Sequence, residues 1–449
     1  MYKIILAIRY LVRRRITYFA VLAVALCVFI VVVVMTVMTG LVSDFKGKNH
    51  RFVGDCVVGT ESLVGFAYYE DFMNILDEED FIESVSPVIK SYALLSPSGT
   101  ERTIGVGIMG IDPVRHSQVS GFGKMLHYRK DEVSKAFAPT YDSNLPGCVI
   151  GIDLVLSRDA KGRYAYGASP LEMALGVSCF PLTAKGALAK AGAGLVNTKT
   201  FYYSDTSHSG LARVDSSMVY LPFEQAQLLC GMAGAVKRVS WLHIKFKPNV
   251  KLEDGCRKVT SLWQGFVEER SGEKQAELLG TVSVQSWKDY RRAFIAAMEK
   301  EQTMMIVMFA LVGLTTVFIV FVVFYMIVSH KSKDIGILKS IGVSNRDIIG
   351  LFSGFSFLVG LLGSGVGVLC GWLFLLKINQ IEDWLYEHFK FQLWDRTIYV
   401  IGDIPNQIEF SVLGVIVLSA IAACLAGAFV PSWQVARMEP AESLQVSRL

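Results

Sequence analysis

The sequence predicts a polytopic α-helical membrane protein with four transmembrane helices and a large α+β domain outside the membrane. Four uncharged, strongly apolar stretches run from Ile16 to Ser43, Gln302 to Ser329, Ile348 to Leu376 and Phe410 to Ala436. Each exceeds the roughly 20 helical residues that cross a bilayer core. Between the first and second, Asp44 to Glu301 has charges, turn residues and short alternating apolar runs, the pattern of a folded extramembrane domain. The hydrophobic fraction of 52% is raised by the four stretches and not by that domain.

Orientation follows from the basic residues. Lys3, Arg9, Arg13, Arg14 and Arg15 precede the first stretch, Lys331, Lys333, Lys339 and Arg346 separate the second from the third, and Arg437 and Arg448 follow the fourth. Positively charged flanks stay in the cytoplasm. Residues 377–409 instead carry Glu382, Asp383, Glu387, Asp395, Asp403 and Glu409, which suits the outer side. The expected division is a cytoplasmic N-terminus (1–15), spans at 16–43, 302–329, 348–376 and 410–436, and a cytoplasmic tail (437–449). An exported α+β domain with stalk helices occupies 44–301, a cytoplasmic connector 330–347 and an outer loop 377–409. The triplet Ala23-Val24-Ala25 lies in a signal-like context, but the apolar run continues to Met38, so an uncleaved anchor is expected. Leu26 before Cys27 does not suit lipoprotein cleavage.

The net charge of +4 is modest and the basic residues sit beside membrane segments, which excludes a nucleic-acid patch. Of eight cysteines, Cys27, Cys370 and Cys424 fall in apolar stretches and read as small packing residues. Cys56, Cys148, Cys179, Cys230 and Cys256 fall in the exported domain, where disulfides are permitted, but an odd number at irregular spacing fixes no pairing. No Cys/His spacing suits a metal.

Within the domain, Leu41 to Lys48 extends the first span as a stalk, and Phe52 to Val58, Val85 to Leu95, Thr103 to Ile111, Met218 to Leu221 and Val239 to Phe246 read as strands. Tyr69 to Leu76, Phe223 to Cys230 and Leu252 to Glu269 have helical spacing. Trp287, Tyr290, Phe294 and Met298 recur at three- and four-residue steps, predicting one helix that runs into the second span with an apolar stripe.

Catalytic motifs are absent. Gly121-Phe122-Gly123-Lys124 lacks the spacing and the following Ser or Thr of a phosphate loop, and there is no H-E-x-x-H or G-x-S-x-G. This chain is not expected to be an enzyme. The apolar stretches contain no charge, which argues against a proton- or sodium-driven carrier. In Lys331 to Asp347, Ile335, Leu338 and Ile341 share one helical face bordered by Asp334, Lys339 and Arg346, with Gly342 able to end the helix. Such a helix either lies on lipid headgroups or docks a cytoplasmic partner.

Asp334-Ile335-Gly336-Ile337-Leu338-Lys339, with Ile341-Gly342 after it, resembles the D/E-I-G/A-x-L-R/K-x-L/I-G signature of FtsX-like ABC permeases. Pro431-Ser-Trp-Gln-Val-Ala-Arg-Met-Glu-Pro440-Ala-Glu-Ser-Leu444 is similar to the terminal P-x-x-x-A/V-A-R/K-x-D/E-P-A-E-x-L of that family. Leu6-Ala-Ile-Arg-Tyr10, Met38-Thr-Gly-Leu41 and Arg213-Val-Asp-Ser-Ser-Met-Val-Tyr-Leu-Pro222 with Glu224-Gln-Ala-Gln-Leu228 resemble its lipoprotein-releasing LolC/LolE branch.

The resemblance implies a periplasmic domain of MacB type, without the ATPase fused to MacB itself, in a bacterial inner membrane. It implies a dimeric permease core, the second permease chain identical or homologous, above a cytoplasmic ABC ATPase dimer. No cofactor is expected on this chain; ATP and Mg belong to the ATPase. Asp334, Ile335, Leu338, Lys339 and Ile341 would form the coupling helix that enters the ATPase. The cargo would be lipoprotein, drawn from membrane lipid toward a periplasmic carrier. Val31, Val34, Met35 and Met38 would line its acyl shelter, the alternative for each being ordinary lipid-facing packing. Met173 to Val196 aligns with a carrier-binding hook, with Leu182 and Leu188 as apolar contacts and Lys185 and Lys190 as steering charges; the alternative is a pair of core strands. Two rival functions remain, a MacB-like efflux permease for peptides or drugs and an FtsX-like permease that signals to a periplasmic hydrolase.

Overall fold

The computed structural model describes residues 15–99, 102–159, 163–189, 196–330, 337, 340, 342–390 and 404–437. They fall into a mixed α/β unit, Asp44–Ala296, and a helical unit drawn from residues 1–43, 297–393 and 403–449.

The mixed unit is built on strands β1 (Cys56–Gly59), β2 (Phe66–Ala67), β3 (Ile82–Pro97), β4 (Ile104–Ile111), β5 (Gly147–Gly151), β6 (Ala174–Cys179), β7 (Asn197–Ser207), β8 (Met218–Pro222), β9 (Arg238–Val239), β10 (Trp241–Phe246) and β11 (Ser283–Ser286). Nine of these form one sheet in the order β11-β1-β10-β3-β4-β8-β5-β7-β6, and β2 pairs with β9. Strand β3 is long enough to take two neighbours on one edge. Its first half pairs with β10 through Val88↔Trp241 to Ile82↔Phe246, and Ala93 to Pro97 pair with β6. Its other edge pairs with β4 over Val88 to Leu95. The strands β3-β4-β8-β5-β7-β6 therefore close on themselves, which leaves no free edge among them.

Two helices cover one side of the sheet. Tyr69–Asp77 buries Tyr69, Phe72, Met73 and Leu76, and Leu252–Glu269 buries Gly255, Val259, Trp263 and Phe266, each set on one helical stripe. Phe72 meets Trp263 edge-on with ring centroids 4.8 Å apart. Gly255 permits this approach, since a Cβ there would lie 2.6 Å from the Phe246 ring. A second core gathers Phe52, Val57, Val88, Ile111, Phe122 and Trp241.

Two expected elements differ in the structure. The strand expected from Phe52 starts at Cys56, because the helix Arg15–Val53 persists until Gly54, whose φ of +92° ends it. The helix expected over Trp287 to Met298 is broken. Trp287–Tyr290 is a single turn, and a separate helix runs Arg292–His330. Between them Arg291, 9% exposed, donates from Nε to Asn49 Oδ1 at 2.7 Å, and its guanidinium lies 4.3 Å from the Phe294 ring centroid. Anchoring this buried cation displaces the regular stripe, and Ile295 becomes the buried apolar residue.

Four helices, Arg15–Val53, Arg292–His330, Asn345–Phe389 and Phe410–Arg437, are long and apolar enough to cross a membrane. The third continues past Leu376 into the acidic segment, with Ile378 and Glu382 buried.

His116 and His243 are buried together with ring centroids 5.5 Å apart. Burial pushes His116 down to about 4, against the opposing pull of Asp112, and pushes His243 down further, with His116, Lys90 and Arg291 acting in the same direction. Since the folded pKa of His116 lies below its ordinary 6.5, its contribution to stability is complete above 6.5 and is lost as pH falls toward 4. The loss is on the order of 3 kcal/mol for His116 alone. Urea unfolding of the full chain should show this fall between pH 6.5 and 4, and H116N should reduce it, leaving the part due to His243; an equally steep fall in the variant would assign the effect elsewhere.

Candidate functional site

Inside a bilayer, helices associate through close packing and interhelical hydrogen bonds, because lipid removes the hydrophobic drive. The third helix meets this requirement with Gly363, Gly367 and Gly371 at four-residue steps. A Cβ at Gly363 would lie 2.8 Å from Val24 Cβ, one at Gly367 2.6 Å from the Ala25 carbonyl oxygen, and one at Gly371 3.1 Å from Val32 Cγ1. The first helix thus lies directly on the third. The third and fourth are joined at Gly360, whose Cβ would lie 3.2 Å from Ile421 Cα, and at Ser356, whose hydroxyl donates to the Cys424 carbonyl at 2.6 Å. The fourth and second meet at Gly427, 2.7 Å from the Val317 carbonyl oxygen by the same measure.

This chain of contacts leaves a cavity of about 510 Å³ bounded by the first, second and fourth helices. That volume falls among ordinary ligand sites, roughly 300–1,000 Å³. Val24, Val28, Val31 and Met35 line it from the first helix, Phe309 and Leu314 from the second, and Ile416 and Ala420 from the fourth. Its two hydroxyls are already engaged within their own helices, Thr316 donating to the Val312 carbonyl at 3.0 Å and Ser419 to that of Ile416 at 2.8 Å. No charged side chain is among the described residues that line it. Val415 at its edge is 67% exposed, so the cavity opens beside the helices. Such a space accepts an alkyl chain and offers a polar ligand nothing to bind.

Of the four residues expected to line a shelter, Val31 and Met35 line the cavity. Val34 and Met38 do not. Met38 is 6% exposed, packed elsewhere in the helical unit. In the expected hook segment, Leu175 and Val177 belong to β6 and are core residues. Beyond them Leu182 and Leu188 face each other as an antiparallel bridge, closed by a Thr183 to Ala187 turn with Gly186 at φ +77°. Arg238 anchors this hairpin by donating to the Leu182 carbonyl at 2.9 Å and the Gly231 carbonyl at 2.7 Å. Lys185 and Leu188 are exposed on it, the latter 49%, while Gly186 at its turn lies near Val64. Lys190, and the coupling residues Asp334, Ile335, Leu338, Lys339 and Ile341, lie outside the described residues.

The glycine ladder is legible in the four-residue spacing of Gly363, Gly367 and Gly371 but was not among the expected sites, and neither were two buried carboxylates. Asp205 accepts the backbone N–H groups of His127, Tyr128 and Arg129 at 2.8–3.2 Å. Asp215 accepts from the Ser209 N–H and hydroxyl and the Gly210 N–H at 2.7–3.0 Å. Burial raises both carboxyl pKa values, opposed by these hydrogen bonds. Both hold loops in place, which gives the Asp215 motif a structural meaning. Among the described residues, no group of His, Cys, Asp and Glu could hold a metal ion.

These features define a multi-pass membrane protein with an apolar intramembrane cavity and an α+β extramembrane domain. Residues 306–440 match the family of the FtsX-like permease C-terminal region. The chain is 22% identical over 433 residues to the lipoprotein-releasing system transmembrane protein LolC of Neisseria meningitidis serogroup B, covering 96% of this chain and 94% of that one. It is 22% identical over 429 residues to the LolC protein of Xylella fastidiosa, covering 95% and 92%. Among solved structures it is similar to the periplasmic region of MacB from Actinobacillus actinomycetemcomitans, with 14% identity, 55% of this chain and 95% of that one covered, and a TM-score of 0.30. Residues 306–440 thus form an FtsX-like permease C-terminal region, set in a chain similar to LolC proteins along nearly its whole length.

The glycine ladder yields a direct test. G367L would drive a side chain into the Ala25 carbonyl and should destabilise the helical unit by about 1–3 kcal/mol or more, seen as loss of monodisperse protein in detergent. G365A, with nothing within 4 Å of its Cβ, should behave as the parent; equal losses in both would discount the ladder.

Proposed function

We propose that this chain is the permease subunit of an ABC transporter that uses ATP hydrolysis on a separate subunit to extract lipoproteins from the bacterial inner membrane toward a periplasmic carrier. The observation that carries the reading is the cavity, which is apolar, uncharged and open beside the helices. A lipid anchor gains roughly 0.8 kcal/mol for each CH₂ buried in the bilayer. Removing several chains together requires an apolar shelter to offset most of that and an external energy source for the rest. Similarity to LolC proteins along nearly the whole chain supports the same cargo class.

In this reading both termini and Lys331 to Asp347 are cytoplasmic, and Asp44 to Glu301 and Lys377 to Glu409 are periplasmic. Ile335, Leu338 and Ile341 are the apolar contact with the ATPase dimer, flanked by Asp334 and Lys339, and ATP and Mg are held by the ATPase. A second permease chain completes the core. The hairpin carrying Leu182, Lys185 and Leu188, continued by Lys190, meets the carrier, its lysines steering an acidic surface. Efflux of a polar peptide or drug is the weaker reading, since the described residues of the cavity lining carry no charge and both of their hydroxyls donate within their own helices.

Two variants separate the parts of this mechanism in the complex reconstituted in vesicles. A420F fills the cavity and should lower lipoprotein release roughly tenfold or more while ATPase association persists. L338D should instead abolish ATPase association and leave the periplasmic domain folded. Full release by A420F would remove the cavity from the cargo path.

A further inference from the structure

Spacing leaves the cysteine pairing open, and the fold gathers four of the free thiols into two neighbourhoods. Cys56 lies fully buried in β1, and Cys256, in the helix Leu252–Glu269, packs against the same core cluster, where the two free thiols share a hydrogen bond. Cys179 ends β6, and Cys230 follows the helix Phe223–Leu229. Three local bonds bring these ends together: Asn197, the β7 partner of Cys179, donates to the Leu229 carbonyl at 3.1 Å and to that of Leu228 at 3.4 Å, and the Leu182 N–H reaches the Cys230 carbonyl at 3.3 Å. These two thiols likewise share a hydrogen bond. Cys148 stands apart in the core, its thiol pushed up by burial alone. Four of the five cysteines of the mixed unit thus face each other in two pairs, joining elements far apart in the chain.

We propose that Cys56–Cys256 and Cys179–Cys230 are two structural disulfides of the exported domain and that Cys148 remains a free thiol. The inference rests on the periplasmic placement given above, since an oxidising compartment is needed for the bonds to persist. Oxidation proceeds by exchange with the disulfide of a periplasmic thiol oxidant. The Cys256 thiol, half-buried and pushed down by its hydrogen bond with Cys56, loses its proton and attacks the oxidant's disulfide, forming a mixed disulfide and releasing one oxidant thiolate. The Cys56 thiolate then attacks the Cys256 sulfur and releases the second oxidant thiolate. Two thiols become one disulfide, the oxidant's disulfide becomes a dithiol, and both protons and both electrons are accounted for. Cys179 and Cys230 are both buried, so their exchange belongs to folding, before the core closes over them.

The test is mass spectrometry of the full chain, with thiols alkylated under denaturing, non-reducing conditions so that buried ones react, and the protein digested without reduction. The expected result is two linked peptide pairs, Cys56 with Cys256 and Cys179 with Cys230, and an alkylated Cys148. C179S should leave Cys230 alkylated and lower the thermal midpoint by roughly 5 °C or more, an effect C148S should not reproduce. A K185C variant labelled by an impermeant maleimide in cells opened only at the outer membrane reports the side of the membrane independently. Labelling at position 185 together with five alkylated native cysteines would overturn the disulfides and leave the function standing. No labelling at position 185 would overturn the placement and the disulfides with it.

Discussion

The closeness with which the third helix admits the first is the constraint on which the helical unit depends. Where Gly367 presents only a hydrogen to the Ala25 carbonyl and Gly363 does the same to Val24, two backbones pack at a distance that no larger residue permits. Within lipid this dispersion contact substitutes for the hydrophobic drive available in water. Once the first helix is held on the third, and the third on the fourth through Gly360 and Ser356, its Val31 and Met35 face is committed to the space beside the second and fourth helices. The cavity is thus a consequence of where the glycines are, and its apolar lining follows from the same uncharged sequence that makes each helix stable in the bilayer.

In the mixed unit the corresponding role falls to β3. By pairing with β10, β4 and β6 it joins the open part of the sheet to the closed part. The buried Arg291 adds a second constraint at the end of the domain, held by Asn49 and stacked on Phe52 and Phe294. A buried cation is tolerated only when paired and covered in this way. The two residues come from segments far apart in the chain, so within the mixed unit this bond ties its first helical residues to its last.

Much of this was legible in the sequence because hydrophobic period is a local property. Leu252–Glu269 and Met218–Pro222 stand where their spacing put them, and the four apolar stretches are four long helices. What the sequence concealed depends on partners distant in the chain. Val31 and Val34 are equivalent in hydropathy, and only the packing of the third helix decides which of them lines the cavity. The break at Arg291 requires Asn49, more than two hundred residues earlier. Met173 to Val196 was framed as either hook or core. The structure makes Leu175 and Val177 core and leaves Leu188 exposed, because Arg238 clamps the chain at Leu182 where strand gives way to hairpin. The proximity of the cysteines likewise depends on elements distant in the chain and not on spacing.

The most direct measurement is photo-crosslinking of acylated lipoprotein from positions 31 and 30 of the first helix, in the reconstituted complex before ATP is added. Val31 lines the cavity and Ile30, its neighbour, is 41% exposed on another face. The account predicts crosslinks to the acylated cargo from position 31, much weaker ones from position 30, and loss of the position-31 product when the cargo lacks its acyl chains. Equal crosslinking from both positions, or a position-31 product indifferent to acylation, would contradict it.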